Sequence, residues 1–163
     1  MFFGEPGVMT IVRPALFPQD AADVLDIWRE FVASPSVNLD FQNYQAEFAD
    51  LPGKYAAPDG RILLGDSDGG IDGCIAFRRI DPAICEMKRL YVRPRARGQR
   101  LGHRLVAQLI DDARAAGYAE MRLDVLAEFK QARQLYAAMG FGPADPVSFN
   151  PLPGTSFLGL RLR

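Results

Sequence analysis

The stretch from Lys88 to Leu105 carries the densest chemistry in the chain: Lys88-Arg89-Leu90-Tyr91-Val92-Arg93-Pro94-Arg95-Ala96-Arg97-Gly98-Gln99-Arg100-Leu101-Gly102-His103-Arg104-Leu105. It reads as a strand, a tight basic glycine loop and the start of an amphipathic helix. The first backbone N–H groups of a helix lack intrahelical partners, and the helix dipole favours negative charge there. Gly98 and Gly102 have no Cβ, so the backbone can come close to a ligand. Arg93, Arg95, Arg97, Arg100 and Arg104 add a charge density that suits a polyanionic phosphate better than a single carboxylate. No Gly-Lys-Ser/Thr follows, so this is not a P-loop, and Gly98 and Gly102 are spaced wrongly for the dinucleotide G-x-G-x-x-G.

The elements that must position this loop follow from periodicity. Ile84–Val92 is the strand that leads into it. Leu101, Leu105, Val106, Leu109, Ile110 and Ala113 form the buried stripe of the helix that leaves it, and Gly117 stops that helix. Upstream, Thr10–Pro14 reads as a strand. A helix opens at Pro18–Asp20, with Ala21, Val24, Leu25, Trp28 and Phe31 inward, and Ser34-Pro35-Ser36 breaks it. A second helix is expected from about Asp40, with Phe41, Tyr44, Phe48 and Leu51 on one face and Pro52-Gly53 at its end. Arg61–Gly65, Ile71–Arg79 and Ile84–Val92 then make an antiparallel meander, its first turn at Asp66–Gly70. Downstream, Met121–Val125 is a strand expected to run parallel to Ile84–Val92. Lys130–Met139 is a helix with Ala132, Leu135, Tyr136 and Met139 inward. Phe141 opens a further strand, Gly142–Gly154 is a loop, and Phe157–Leu162 closes the sheet. The expected fold is α/β, a mixed central sheet with helices on both faces.

Composition narrows the function classes. The chain has 163 residues and a formal net charge of −1, which suits one domain and excludes a polycation built to coat nucleic acid. Basic charge concentrated in Lys88–Arg104 of a near-neutral chain points to a small anionic ligand. The two cysteines, Cys74 and Cys85, fall in neighbouring strands and read as buried thiols of a cytoplasmic protein rather than a disulfide. With one histidine, His103, they offer too few ligands for zinc, so no metal is expected. No apolar run approaches membrane-spanning length, and Met1–Gly7 lacks the basic region of a secretory signal. Residues 1–9 read as a tail, with Met9 a candidate start of the domain, and 10–163 as the domain itself.

Two motifs give this chain a resemblance to a known family. Arg97-Gly98-Gln99-Arg100-Leu101-Gly102 is similar to the pyrophosphate signature Gln/Arg-x-x-Gly-x-Gly/Ala of the GNAT superfamily of acetyl-CoA-dependent N-acetyltransferases. It departs from that signature at Arg100, where the family usually has glycine. Ala132-Arg133-Gln134-Leu135-Tyr136-Ala137-Ala138-Met139-Gly140-Phe141 resembles the family's Asn-x-x-Ala-x-x-x-Tyr-x-x-x-Gly-Phe, with Phe129 where Asn is common. The resemblance extends over Thr10–Arg163 and implies the GNAT acyl-CoA N-acyltransferase fold with acetyl-CoA as co-substrate. It implies that Arg97, Gly98, Gln99, Arg100, Leu101, Gly102 and His103 hold the pyrophosphate. Leu90, Tyr91 and Val92 would bond the pantetheine arm as a pseudo-strand. Glu86 stands where several members carry a catalytic Glu and would deprotonate the acceptor amine. Tyr136, a phenol of pKa ~10, would protonate the departing thiolate.

The function expected from these residues is direct transfer of acetyl from acetyl-CoA to a primary amine of a small molecule or peptide. The alternative is a non-catalytic acyl-CoA-binding regulatory module on the same fold. The acceptor is expected between the first two helices and the Gly142–Gly154 loop, among Trp28, Phe31, Phe41, Tyr44, Phe48, Phe149, Asn38 and Asn150. Neither nucleic acid nor membrane is an expected partner, and the sequence leaves monomer and homodimer open.

Overall fold

Alternation along the strands decides the layers. In Arg61–Ser67, Leu63 points to one side of the sheet while Ile62 and Leu64 point to the other, and all three are buried. A strand apolar on both faces must be covered on both faces. The computed structural model describes residues 10–163, so the expected tail and the Met9 start lie outside the described residues. Seven strands, β1 (Ile11–Pro14), β2 (Arg61–Ser67), β3 (Gly70–Arg79), β4 (Ile84–Val92), β5 (Glu120–Val125), β6 (Gly142–Pro143) and β7 (Ser156–Arg161), form one sheet in the order β1-β2-β3-β4-β5-β7-β6. The helices are α1 (Ala21–Ala33), α2 (Tyr44–Ala49), α3 (Leu101–Ala115) and α4 (Lys130–Ala138). The stripe of α3 and Tyr136 of α4 pack with Leu63, Ile75, Phe77, Cys85 and Met87 on one face. Val24, Ile27 and Trp28 of α1 pack with Ile62, Leu64, Cys74 and Ala76 on the other.

Most of the sequence reading meets the structure directly. The six residues expected in the α3 stripe are all buried, and Gly117 follows the helix at φ +98°. The meander is antiparallel and β4–β5 is parallel. Cys74 and Cys85 are free and buried on opposite faces, and desolvation pushes both thiols up to about 12. No helix among the described residues is long and apolar enough to cross a membrane.

Two elements differ. The strand expected from Phe141 is only Gly142–Pro143. The single helix expected from Asp40 is a 3-10 turn, Asp40–Gln42, followed by the short α2. The break sits at Asn43, which adopts φ +53°, a region that asparagine enters more readily than most residues. Asn38 reinforces the turn by accepting a hydrogen bond from the Asp40 N–H at 2.7 Å.

The feature that shapes the sheet is a bulge in β4. Cys74 pairs with Tyr91 and Ala76 with Lys88, so Arg89 and Leu90 together oppose Ile75. Arg89 takes φ +62°, which for an L-residue costs roughly 1–2 kcal/mol. Its guanidinium is fully buried and lies 4.4 Å from the Trp28 ring centroid. Arg89 Nη1 donates to the Tyr55 hydroxyl at 3.1 Å, and Nη2 pairs with Glu47 of α2. Stacking, hydrogen bond and ion pair together hold the bulge in its strained conformation. Arg89→Ala removes the fully buried partner of Glu47 and leaves it the half-exposed Lys54 and the Tyr55 hydroxyl, and the expected loss is about 3–5 kcal/mol by urea unfolding. Arg89→Lys should recover less than half of it, because an ammonium cannot reproduce the planar stacked fork.

Candidate active site

The sheet opens just ahead of the bulge. Strands β4 and β5 pair at Ile84, Cys85 and Glu86 against Glu120, Met121 and Arg122, and no further. From Met87 onward β4 keeps its neighbour on the β3 side but has no strand on the other. The backbone of Leu90, Tyr91 and Val92 therefore faces a cleft of about 630 Å³, also lined by Phe31, Arg97, Gly98, Arg100, Leu101, Gly102, Phe129 and Leu135. That volume is in the range of ordinary cofactor sites.

The loop at the foot of this cleft leaves backbone donors and two exposed arginines facing it. Gly98 has φ +85° and Arg100 φ +60°, so the chain turns sharply before α3. Arg100 holds in strained form a left-handed backbone conformation that a glycine would adopt without cost. The first helical bond here runs from the Arg104 N–H to the Arg100 carbonyl. No side chain caps the helix, and its first turn carries no acidic residue. The preceding N–H donors are left for something else. A Cβ built on Gly102 would meet only Leu135 and Val92 at 3.6 and 3.8 Å, ordinary contacts, so the protein itself does not require glycine there.

The arginines divide their work, which corrects the expectation that all five serve a polyanion. Arg93 binds Glu30 of α1 and donates to the Ile71 carbonyl at 2.7 Å. Arg95 pairs with Asp72 at 2.8 Å and also reaches the Ile71 carbonyl. These two fasten the loop to α1 and β3. Arg97 donates to the Val92 carbonyl at 3.0 Å, with its guanidinium 5.9 Å from the Tyr91 ring, and stays exposed at the cleft with Arg100. Gln99 and His103 are not among the residues lining the cleft.

At its far end the cleft narrows between Phe31 and Phe129, whose rings are 6.3 Å apart. Phe129, standing where the family commonly has Asn, thus supplies an aromatic wall. Beside it, Glu128 accepts from both the N–H and the hydroxyl of Ser36, which ties the loop after α1 across the mouth. Past the aromatic pair is a second cavity of about 50 Å³. Tyr136 lines it with Gln42, Lys88, Leu90, Asp124 and Asn150. Burial, then the nearby Asp124 carboxylate, pushes the Tyr136 phenol well above its usual range. Burial likewise holds the Lys88 ammonium below its usual range. It also raises the Asp124 carboxyl, against an opposing hydrogen bond from Asn150 Nδ2 at 2.8 Å.

Glu86 lies elsewhere than expected. Expected to deprotonate the acceptor amine, it is fully buried and lines neither cavity. Oε1 accepts from Arg78 Nε at 2.9 Å and Oε2 from Ser148 Oγ at 2.7 Å. Among the residues expected at the acceptor, Trp28 is wholly in the core beneath Arg89. Phe41 and Phe149 meet edge-to-face at 6.4 Å, and Phe149 is 74% exposed. Each adjoins a residue of the small cavity, Gln42 and Asn150. The sequence reading missed Gln42, Lys88 and Asp124. The one available signal was the alternation in β5, which sets Arg122 and Asp124 opposite Met121, Leu123 and Val125.

A seven-stranded mixed sheet that parts between two parallel strands, with a basic helix N-terminus at the gap, defines the acyl-CoA N-acyltransferase fold. Solved structures share it. A Klebsiella pneumoniae acyl-CoA N-acyltransferase superposes with a TM-score of 0.70 at 25% identity, covering 95% of this chain and 99% of that one. The yncA structure from Salmonella typhimurium, solved with its cofactor acetyl-CoA, gives 0.69 at 24% identity over 94% of each chain. Residues 24–141 match the Acetyltransferase (GNAT) family. An uncharacterized N-acetyltransferase of Schizosaccharomyces pombe is 37% identical over 147 residues, 89% of this chain and 90% of that protein. An IAA acetyltransferase of Azospirillum brasilense is 36% identical over 101 residues, 60% of this chain and 66% of that protein. The chain belongs to the GNAT acetyltransferase family and is an N-acetyltransferase.

Proposed function

We propose that this enzyme transfers acetyl from acetyl-CoA to a primary amine of a small molecule or peptide by direct attack on the thioester. The observation that carries the reading is the pair of cavities meeting at Leu90, one ending on an uncapped helix N-terminus and the other on a buried phenol. The pyrophosphate of acetyl-CoA sits on the N–H groups of Leu101 and Gly102, with Arg97 and Arg100 beside it. Gln99 and His103 contribute through backbone and field rather than by lining the cleft. The pantetheine amides pair with the free edge of Leu90–Val92. This lays the thioester beside the aromatic pair Phe31 and Phe129 and delivers its carbonyl to the small cavity.

There the amine nitrogen forms a bond to the acetyl carbon, and the carbon–sulfur bond then breaks. The thiolate takes the Tyr136 proton, which the phenol has kept because burial disfavours its anion. The forming amide returns a proton to Tyr136. Holding both reactants in one closed site supplies part of the rate. The exposed Phe41–Phe149 pair, each next in sequence to a cavity-lining residue, favours an amine carried on an apolar body.

Calorimetric titration with acetyl-CoA tests the first half of this reading, and one site per chain is expected. Gly102→Ala should leave the melting temperature within about 2 °C, because its Cβ meets nothing tight. It should weaken acetyl-CoA about tenfold by crowding the phosphate. Gly98→Ala should instead cost about 1 kcal/mol of stability through its positive φ. Tyr136→Phe should lower kcat about 100-fold with little change in acetyl-CoA affinity, followed by thiol release. Unchanged turnover would remove Tyr136 from the mechanism.

A further inference from the structure

The small cavity holds a carboxylate and an amide that the proposed chemistry has not yet used. Asp124 is the only carboxylate among its described lining residues. Gln42 lines the same cavity, and its Oε1 is buried with no hydrogen-bond partner. A buried acceptor left unpaired costs about 1–3 kcal/mol, so an unspent oxygen on the wall of a cavity that also carries a carboxylate is a seat for a donor-rich group. The tip of an ammonium fits both the chemistry and the size. Glu86, by contrast, is outside the cavity with its oxygens engaged by Arg78 and Ser148.

We infer that Asp124, rather than Glu86, receives the acceptor's proton, and that Gln42 Oε1 accepts a second N–H of the same amine. This inference rests on the amine acetylation proposed above. The ammonium gives one proton to Asp124, and the freed nitrogen pair attacks the acetyl carbon. The thiolate takes the Tyr136 proton, the tetrahedral nitrogen gives one back to Tyr136, and Asp124 releases its proton to solvent. The balance is one ammonium and one thioester giving one amide, one thiol and one proton.

The groups facing Asp124 fit this role. From β4 come the Lys88 ammonium, which favours its anion, and the Glu86 carboxylate, which opposes it. From α4 comes the Tyr136 phenol, from the loop before β7 the Asn150 amide, and across β7 the apolar Phe157. Burial outweighs these and lifts the carboxyl, so its proton affinity moves toward that of its partner amine. Activity should fall on acidification through a value above the ordinary carboxylate range, since only the anion accepts a proton. Stability should run the other way. A folded-state pKa above the unfolded value subtracts stability once pH exceeds it and subtracts nothing below the unfolded value. Asp124→Asn keeps an oxygen for Asn150 and should therefore melt no lower than wild type at pH 7.

The test compares thiol release with 2-phenylethylamine and with O-benzylhydroxylamine, which is neutral at pH 7 and needs no base to free its nitrogen. Asp124→Asn should lower kcat/KM for 2-phenylethylamine about 100-fold, with acetyl-CoA affinity intact. The defect should shrink to about tenfold or less with O-benzylhydroxylamine, and the acidic limb of the pH profile should vanish. Gln42→Leu should raise KM more than it lowers kcat. A variant whose defect is equal for both amines, or one retaining activity within about threefold, overturns the assignment. So does a pH-dependent loss that follows Glu86→Gln instead. Wild-type enzyme that binds acetyl-CoA but acetylates neither amine overturns the amine seat. Enzyme that does not bind acetyl-CoA overturns the underlying function.

Discussion

Strands β4 and β5 pair over three residue positions and then part, and the rest of the molecule keeps that gap open. Parallel strands gain by continuing their ladder, because unpaired backbone groups are costly away from water. The bulge at Arg89 and Leu90 follows three residues past the last β4–β5 pair, so β4 bends where its β5 side is already unpaired and the ladder does not resume. A buried guanidinium seated on Trp28 and tied to Tyr55 and Glu47 stabilises that bend. The segment from Gly53 to Tyr55, α1 and α2 are thereby fastened to the same residue that diverts the strand. The gap is a product of core packing on one face of the sheet, and its edge offers N–H and C=O groups to a ligand that can act as a strand.

Charge is distributed by the same economy of position. The basic loop that dominates the sequence gives two arginines, Arg93 and Arg95, to acidic partners on α1 and β3, and these set the angle at which α3 leaves the sheet. Arg97 and Arg100 stay exposed and line the cleft. On the face opposite α3, Arg78, Glu86, Lys88 and Asp124 form a linked row across β3, β4 and β5. Glu86 neutralises Arg78 and anchors Ser148, which fixes the loop that brings Asn150 to Asp124. Its burial therefore supports a positioning role: it settles the charges and the loop around the cavity without opening onto it. The two departures from the family motifs are absorbed in similar fashion. Arg100 tolerates a left-handed backbone at the helix start, and Phe129 replaces polarity with an aromatic wall against Phe31.

Much of this protein was determined by its sequence alone, wherever the deciding interaction is local or periodic. The α3 stripe, the Gly117 stop, the meander and the glycine loop rest on side-chain period and on backbone freedom at single residues, which need no knowledge of distant chain. The family resemblance was legible for the same reason, since its motifs are contiguous. Tertiary structure alone decided what faces the narrow end of the cleft. Asp124 and Lys88 were visible as polar positions on strands, but only sheet register sets them across one cavity. Gln42 reaches that cavity because Asn43 breaks a helix that amphipathic spacing predicted to continue. Glu86 was expected to face the acceptor as its base. It is buried because Arg78 from one side and Ser148, 62 residues along the chain, converge on its two oxygens. The burial of a charge depends on which partners the fold brings to it, and sequence spacing carries no record of that.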